Sequence, residues 1–198
     1  MKVRAKFVTT AADVRQFPLP GPPEVAFLGR ANVGKSSLIN SLLNEKKLAK
    51  TSSTPGRTKA INFFEVRRPG QPHADFYFAD LPGYGYSKLP RELTAEWPTF
   101  IEPYLHKRQT LVLCVVLVDS NIPPQASDRQ LLVWLRHVKR PHVVVATKSD
   151  RLSGNQMANS LKALEKELQT HLLTFSARTG AGRDELWREI RRATETLS

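Results

Sequence analysis

The stretch VAFLGRANVGKSSLIN, residues 25–40, decides which fold this chain can adopt. An apolar run ends at Gly29, and Gly34 is then followed directly by Lys35 and Ser36. This spacing matches the pattern G-x-x-x-x-G-K-[ST], in which a buried strand leads through a glycine-rich turn into a helix. The residues that we assign to this phosphate-binding loop are Gly29, Arg30, Ala31, Asn32, Val33, Gly34, Lys35, Ser36 and Ser37.

The residue types in this loop have a chemical reason. Glycines let the backbone wrap closely around phosphate groups, and the amides at the helix N-terminus then point at the anion, where the helix dipole adds to the attraction. We expect the Lys35 ammonium to reach the β- and γ-phosphates of a nucleotide and the Ser36 hydroxyl to bind Mg²⁺. An accidental glycine-rich turn is the alternative, and the flanking strand and helix argue against it.

Strand-like and helix-like segments alternate through the rest of the chain. Strands are predicted at residues 24–29, 61–67, 75–80, 111–119, 142–148 and 171–177. Helices are predicted at residues 35–44, 93–108, 125–140, 155–169 and 182–197. Pro98 and Pro103 should shorten or kink the second helix. The alternation predicts an α/β fold with a mostly parallel sheet of six strands and helices on both faces, which binds ligands at the carboxyl ends of its strands.

Length and composition limit the organisation of the chain. Its 198 residues suffice for one well-buried domain, so we expect an N-terminal arm, residues 1–23, and a single domain over residues 24–198. A lone cysteine, Cys114, fits a reducing compartment. The longest apolar run is too short to span a bilayer, and the start lacks a signal peptide's apolar core. We expect a cytoplasmic protein without membrane insertion; the sequence leaves the oligomeric state open, with a monomer as the default.

The sequence ATKSD, residues 146–150, closes a predicted strand well downstream of the phosphate-binding loop. The Asp150 carboxylate can accept hydrogen bonds from N1–H and the 2-amino group of guanine, which adenine cannot donate together, while the Lys148 stem packs along the base. A site built on such bonds rejects the analogue that lacks them, which argues against a P-loop kinase. An exposed polar turn is the alternative. The residues assigned to this motif are Thr147, Lys148, Ser149 and Asp150.

A second base-recognition motif is predicted in FSARTGAG, residues 175–182, at the close of the next strand. We assign Phe175, Ser176 and Ala177 to it, because a tight turn there can offer a backbone amide to guanine O6. An ordinary turn between strand and helix is equally compatible with the sequence.

Two loops between these motifs are candidates for nucleotide-dependent switches. In DLPGYG, residues 80–85, Asp80 would hold the Mg²⁺ shell through water and the Gly83 amide would sense the γ-phosphate. In TSSTPGRT, residues 51–58, Thr58 offers a second metal hydroxyl. A γ-phosphate can order such loops, and its loss can release them. The further nucleotide-binding residues assigned here are Gly56, Arg57, Lys59, Ala60, Leu81 and Pro82, and the catalytic assignments are Lys35, Thr58 and Gly83.

Taken together, these elements resemble those of the translation-factor-related, Era/EngA-like P-loop GTPases. More narrowly, GRANVGKSSLIN, STPGRTKAINFF, DLPGYGYSKLP and TKSD resemble the EngB (YsxC/YihA) family of ribosome-biogenesis GTP-binding proteins. The similarity runs from about Glu24 to the C-terminus. Thr147, where most GTPases have Asn, also suits this family.

The resemblance implies a Ras-like P-loop GTPase domain with six strands, the second of them antiparallel, and five helices. It implies that GTP and GDP bind with Mg²⁺, that Ser36 and Thr58 ligate the metal directly, and that Asp80 does so through water. It further implies a molecular switch that hydrolyses GTP in assembly of the large ribosomal subunit, with a link to normal cell division and septation.

The residue after the switch glycine departs from the Ras-like pattern. Tyr84 stands where Ras-like switches have a water-orienting Gln, so we predict slow intrinsic hydrolysis, on the order of 10⁻⁴ s⁻¹. The alternative is a GTP- and GDP-sensing scaffold for RNA or protein with negligible hydrolysis. Asn32 resembles the Asn of GTPases that bind potassium in place of an arginine finger, and Arg57 is another candidate charge donor. A turn-stabilising Asn and an exposed Arg are the corresponding alternatives.

The formal net charge of +12 favours an anionic partner. We predict that ribosomal RNA contacts a basic cluster near the first switch loop, with steep salt dependence. This cluster comprises Lys46, Lys47, Lys50, Arg57 and Lys59. Other basic groups lie near predicted helix C-termini and can complement helix dipoles instead; they are Arg136, Lys139 and Arg140, and Arg188, Arg191 and Arg192. Packing is the predicted role of Trp97, Trp134 and Trp187.

Overall fold

The computed structural model describes residues 3–49, 60–84 and 99–195, which form a twisted sheet of seven strands with five α-helices. The strands are β1 (Arg4–Ala11), β2 (Glu24–Gly29), β3 (Ile61–Arg67), β4 (Phe76–Asp80), β5 (Leu111–Asp119), β6 (His142–Thr147) and β7 (Leu172–Thr174). The helices are α1 (Lys35–Leu43), α2 (Ile101–Lys107), α3 (Ala126–His137), α4 (Gly154–Leu168) and α5 (Arg183–Glu195). None of these described helices has both the length and the apolar character that crossing a bilayer requires.

The strand order is β1-β3-β4-β2-β5-β6-β7. Neighbouring strands from β4 to β7 run parallel, whereas β3 is antiparallel to both β1 and β4. The predicted α/β fold and its mostly parallel sheet are therefore confirmed, and the strand INFFEVR is the antiparallel one, as expected. The carboxyl ends of β2, β4, β5, β6 and β7 meet at one edge of the sheet, and within the described residues the predicted ligand motifs that follow β2, β4, β6 and β7 lie there.

The expected count of six strands is wrong, because the sheet gains a seventh strand from the N-terminal arm. β1 pairs antiparallel with β3 from Arg4↔Arg67 to Ala11↔Ile61, with a bulge between Phe7 and Thr9. This strand has mixed polar and apolar residues and precedes a proline-rich segment, so the local pattern carries little strand signal. The pairing partner lies far along the chain, where only the folded state brings it close.

Two apolar cores lie on opposite faces of the sheet. Successive residues of β5 alternate between them, with Leu113, Val115 and Leu117 on the face covered by α1 and α5, and Cys114 and Val116 on the face covered by α2, α3 and α4. Burial on both faces explains why β5 is an almost unbroken apolar run. Burial also raises the pKa of the Cys114 thiol to about 12, in keeping with a packed thiol.

The tryptophans in the described residues pack as predicted. Trp187 of α5 is buried and stacks on Phe78, with ring centroids 5.9 Å apart. Trp134 packs, partly buried, against the opposite core. Trp97 lies outside the described residues.

The helix predicted over residues 93–108 appears in the described part as α2, Ile101–Lys107. Pro103 falls in its first turn, where a backbone N–H would have no partner within the helix, so this proline is tolerated there. Pro98 lies outside the described residues.

A buried ion pair joins the arm to the end of the sheet opposite the ligand loops. The Glu24 carboxylate, 1% exposed, accepts hydrogen bonds from Arg108 Nε (2.9 Å), Tyr104 Oη (2.8 Å) and Thr110 Oγ1 (2.7 Å). Arg108 Nη2 also donates to the carbonyl of Pro18 at 2.7 Å. The buried carboxylate is thereby saturated with donors, which is the condition for burying a charge without a large cost.

Arg136 and Arg140 have structural partners. Arg136 donates to the carbonyls of Leu168 and Gln169 at the C-terminus of α4, at 2.6 and 3.1 Å. Arg140 donates to four carbonyls from the last turn of α2 to the first residue of β5, among them Leu111 at 2.9 Å. Their positive charge satisfies carbonyl groups of the fold, in line with the structural alternative stated for this group.

Candidate nucleotide-binding site

The phosphate-binding loop lies between the end of β2 at Gly29 and the start of α1 at Lys35. Gly34 caps the helix with φ of 100°, a left-handed conformation that strongly favours glycine. At Gly29 a Cβ atom would lie 2.7 Å from Val33 Cγ1, so packing within the loop excludes a side chain there. The two positions of the motif thus require glycine for different reasons: Gly34 because of its backbone angle, and Gly29 because of close packing.

Two residues at the end of β6 hold the back of this loop. The Thr147 hydroxyl donates to the carbonyl of Val33 at 2.6 Å, and Lys148 Nζ donates to the carbonyl of Asn32 at 2.8 Å. A peptide plane directs its C=O and the following N–H in opposite directions. Anchoring the carbonyl of Val33 behind the loop therefore turns the amide of Gly34 towards the opposite side, where helix α1 begins and an anion would bind.

Lys35 of the phosphate-binding loop is paired with a carboxylate. Lys35 Nζ forms an ion pair with the Asp80 carboxylate, and both side chains are largely buried. Asp80 is the last residue of β4, and β4 pairs directly with β2, which brings the carboxylate beside the loop. The two groups predicted to face the phosphates and the Mg²⁺ shell are therefore adjacent.

The segment after β4 packs against the loop through its backbone. Around Gly83 the fit is tight, since a Cβ atom there would lie 3.1 Å from the backbone nitrogen of Ala31. The amide of Ala31 donates to the carbonyl of Tyr84 at 3.3 Å. Leu81 and Pro82 are buried in the same segment.

The side chain of Tyr84 is buried beneath the loop. It is 2% exposed, and its hydroxyl donates to Asp128 Oδ1 at 3.1 Å. Burial, followed by the nearby Asp128 carboxylate, raises the pKa of the Tyr84 hydroxyl well above its ordinary value. Burial likewise raises the pKa of Asp128, although hydrogen bonds from Gln125 and Tyr84 oppose the shift. The phenol therefore packs as a neutral donor between the loop and α3.

The predicted base-recognition residues are brought together at the ends of β6 and β7. Ser176 Oγ donates to Asp150 Oδ1 at 2.6 Å, and the amide of Ser149 donates to the carbonyl of Phe175 at 3.2 Å. The Ser176 hydrogen bond is the main cause that lowers the pKa of Asp150. The carboxylate is therefore fixed in place and ionised at neutral pH.

A cavity of about 510 Å³ connects these residues with the start of α1. Its wall contains both predicted base motifs and the end of the phosphate-binding loop, so one ligand can reach both. The residues that line it are Gly34, Ser37, Leu38, Thr147, Lys148, Asp150, Arg151, Phe175, Ala177 and Arg178.

Two residues of this region were missed by the sequence analysis. Arg178 Nε lies 3.3 Å from Asp150 Oδ2, on the rim of the cavity. Asp119, the last residue of β5, forms an ion pair with Lys148 at 2.6 Å. Its position at the carboxyl end of a strand was a usable signal, because the other predicted ligand loops follow strands in the same way.

Part of the predicted site lies outside the described residues, namely Gly56, Arg57, Thr58 and Lys59, together with Lys50 of the basic cluster. Ala60 is described and is buried directly before β3. The predicted first-switch contacts to metal and phosphate stay predictions.

Sequence comparisons identify close relatives over almost the whole chain. The family model described as a 50S ribosome-binding GTPase matches residues 24–148. A probable GTP-binding protein EngB of Koribacter versatilis is 60% identical over 197 residues, which cover 99% of this chain and 97% of that protein. A relative of the same description from Desulforamulus reducens is 48% identical over 188 residues, with 93% and 89% covered.

Solved structures share the fold. The crystal structure of a probable GTP-binding protein EngB matches with a TM-score of 0.68 at 21% identity, covering 87% of this chain and 99% of that one. The FeoB G-domain from Methanococcus jannaschii matches with a TM-score of 0.58 at 23% identity, covering 89% and 99%. The fold and the loop at its carboxyl edge define the class, a P-loop GTPase of the α/β type. Within that class, the chain belongs to the EngB family of GTP-binding proteins, which confirms the resemblance seen in its motifs.

Proposed function

We propose that this protein is a cytoplasmic molecular switch that binds GTP with Mg²⁺, hydrolyses it slowly and acts in assembly of the large ribosomal subunit. The observation that carries the proposal is the single cavity that joins Asp150, held by Ser176, to Gly34 at the start of α1. A guanine acceptor and a phosphate-binding helix terminus are thus available to one ligand.

The residues present fit a Mg²⁺ ion that binds together with the nucleotide phosphates. The Ser36 hydroxyl in the first turn of α1 and the Asp80 carboxylate at the end of β4 are hard oxygen donors, which Mg²⁺ prefers. Asp80 is kept beside the loop by its ion pair with Lys35. When bound, the ion would neutralise charge on the β- and γ-phosphates. Thr58 is proposed as the second direct ligand on family resemblance alone.

Phosphoryl transfer depends on positioning and charge neutralisation more than on covalent chemistry. Lys35 would leave Asp80 and pair with the phosphates, while the amides of the loop bind their oxygens. The close approach of Gly83 to Ala31 supports a role for the Gly83 amide at the γ-phosphate. Because the Tyr84 side chain is buried against Asp128, it is not available to orient water, which supports slow intrinsic hydrolysis.

The ribosomal part of the proposal rests on the name of the matching family and on charge. The family is described as binding the 50S ribosome, and the chain carries a net charge of +12. Lys46 and Lys47 are exposed after α1, at the start of the predicted basic cluster. Contact of this cluster with ribosomal RNA would place the partner beside the first switch loop, where nucleotide state can gate binding. Cells that lack the protein would then fail in normal division and septation, because their ribosome assembly is defective.

Co-sedimentation with large ribosomal subunits tests the proposed role. The protein is incubated with subunits at near-physiological salt, in GDP or in a non-hydrolysable GTP analogue. We expect binding with the analogue only, and a steep decrease of that binding with added salt. Equal binding in both states, or none, would contradict a GTP-gated assembly factor.

Single-turnover hydrolysis separates the switch from a scaffold that only senses GTP and GDP. We expect a rate on the order of 10⁻⁴ s⁻¹ for the protein alone and a clear increase with large subunits. Negligible hydrolysis under both conditions would favour the scaffold. The burial of Tyr84 is the observation that supports this alternative. Rates in KCl and NaCl test the proposed potassium site at Asn32, since equal rates would remove potassium from the mechanism.

A further inference from the structure

Asp119 ends β5 at the same sheet edge as the nucleotide site, and its carboxylate is held by two neighbours. Its Oδ2 accepts a hydrogen bond from Lys148 Nζ at 2.6 Å. Its Oδ1 accepts from the backbone and side-chain amides of Asn121, at 3.0 and 2.8 Å. The Asn121 contacts fix the orientation of the carboxylate, so the carboxylate in turn fixes the lysine ammonium.

Lys148 connects the two halves of the site. Its ammonium bridges Asp119 and the carbonyl of Asn32 in the phosphate-binding loop, 2.8 Å away. Its backbone has φ of 60°, a left-handed angle that residues other than glycine seldom adopt. Lys148 lines the cavity that contains Asp150, and its Cε lies 3.9 Å from the place of a Cβ on Gly34, which lines the same cavity. The side chain is therefore stretched along the wall on which a base would pack.

Asp119 itself lies on the other side of this lysine. It does not line the cavity with Asp150, but a separate cavity of about 220 Å³ that is also bordered by Lys148 and Asn32. A direct contact with the base is thus not its role. A free lysine side chain has high rotamer entropy, and a ligand that must order it loses affinity.

We propose that Asp119 is a positioning residue for nucleotide binding, which holds the Lys148 stem against the base and the Lys148 ammonium against the phosphate-binding loop. The inference rests on the proposed guanine site. Through Lys148, this one carboxylate fixes the base-binding half of the site relative to the phosphate-binding loop before the nucleotide binds.

The test compares two substitutions that remove one charge each. Asp119→Asn removes the proposed positioning group. Asp75→Asn is the matched control, because Asp75 also pairs with a cation (Arg68, 2.7 Å) and accepts a backbone amide, with 16% exposure against 14% for Asp119, but lies at the opposite end of the sheet. GDP and IDP affinities are measured by calorimetry. We expect Asp119→Asn to weaken both about tenfold, the effect of one lost charge-assisted hydrogen bond, and the control to leave both unchanged.

An equal loss for GDP and IDP is the specific signature. IDP lacks the 2-amino group that Asp150 would bind, so a defect at Asp150 changes the ratio of the two affinities, whereas a displaced lysine stem does not. In a Lys148→Ala background, Asp119→Asn should cause no further loss. An additive loss in that background, or an effect no larger than that of the control, would overturn the proposal.

The same titrations separate this inference from the proposed function. If the unmodified protein binds neither nucleotide, or does not prefer GDP, the proposed guanine site itself fails. If it prefers GDP and Asp119→Asn binds as tightly, only the positioning role fails.

Discussion

The base half and the phosphate half of the site are prepared for a ligand in different ways. In the base half, Asp150 is held by Ser176, and Lys148 is held between Asp119 and the phosphate-binding loop. In the phosphate half, the charges on Lys35 and Asp80 neutralise each other. Under the proposed function, the base half would accept guanine with little rearrangement, whereas the phosphate half would exchange one ion pair for contacts with phosphate and metal.

This difference suggests that the two halves of the site contribute different properties to nucleotide binding. A prearranged set of hydrogen bonds gives selectivity, because an analogue that lacks one donor leaves a buried group unpaired. An internal ion pair that must open makes phosphate binding depend on what replaces the lost partner. Metal supplied with the nucleotide would compensate Asp80 at the moment when Lys35 leaves it.

The largest expected effect is on base selectivity. Asp150→Asn removes the acceptor for two guanine donors and should weaken GDP binding by about 10²–10³-fold. XDP has a carbonyl in place of the 2-amino group, so the asparagine amide can donate to it and its binding should improve. Calorimetry with both nucleotides checks this. The control is Asp13→Asn, because Asp13 is a carboxylate of the arm that also pairs with an arginine, Arg15, at 3.0 Å. A parallel loss for XDP would show that Asp150 acts in folding rather than in base recognition.

The next effect concerns the ion pair of the phosphate half. Asp80→Asn removes the carboxylate that competes for Lys35, so GDP affinity measured in EDTA should rise about tenfold. The gain in GTP-analogue affinity on adding Mg²⁺ should shrink, because the metal shell loses a carboxylate. If affinity in EDTA falls instead, Lys35 does not exchange between Asp80 and phosphate. The phosphate half would then not differ from the base half in needing a rearrangement to bind its ligand.

A smaller effect is expected from the partner of Asp150. Ser176→Ala removes the hydrogen bond that mainly lowers the pKa of that carboxyl, so its pKa should rise towards the ordinary value of 3.8. GDP affinity should fall about fivefold at pH 7, through loss of orientation. Only the ionised carboxylate accepts from guanine, so GDP binding by the variant should weaken further as the pH falls from about 4.5 to about 3.5, through that ordinary pKa, while the unmodified protein changes less. Parallel pH profiles for the two proteins would argue against this coupling.

The smallest effect is predicted for Tyr84→Phe, outside both halves. Asp128 would lose a buried donor, which should lower the free energy of unfolding by about 1 kcal/mol in urea titrations. The hydrolysis rate should stay within about twofold, because the phenol is buried and donates its hydrogen bond to Asp128. A tenfold lower rate in single-turnover assays would show that the Tyr84 hydroxyl takes part in hydrolysis.

Sequence patterns predicted those parts of the molecule that depend on local signals. The phosphate-binding loop was predictable because Gly34 and Lys35 follow a continuous apolar strand, and β5 because both of its faces are buried. β1 was not, since its identity as a strand depends on pairing with β3, whose paired residues lie 50 to 63 positions further along the chain. The basic residues Arg136 and Arg140 could be assigned only to a helix end; the carbonyl groups that they bind come from other elements.

The site shows the same limit. Asp150 and Lys148 stand in one short motif. Asp119 belongs to a different strand, and its contact with Lys148 is visible only in the folded structure. Tyr84 was identifiable as a departure from the expected glutamine, but nothing in its sequence neighbours indicates the hydroxyl contact with Asp128. Contacts between strands that are adjacent in the sheet and distant in the chain thus account for what could not be predicted.

The ion pair between Glu24 and Arg108 also affects where the folded unit begins. Arg108 reaches Pro18 in the arm while its guanidinium neutralises Glu24, and β1 covers the edge of β3. A cut between the arm and β2 would therefore admit water to a charge that is 1% exposed and leave β3 as an open sheet edge prone to pairing with other chains. We therefore expect the arm to unfold together with the sheet, and a shortened version of this chain to be stable only if it keeps the arm.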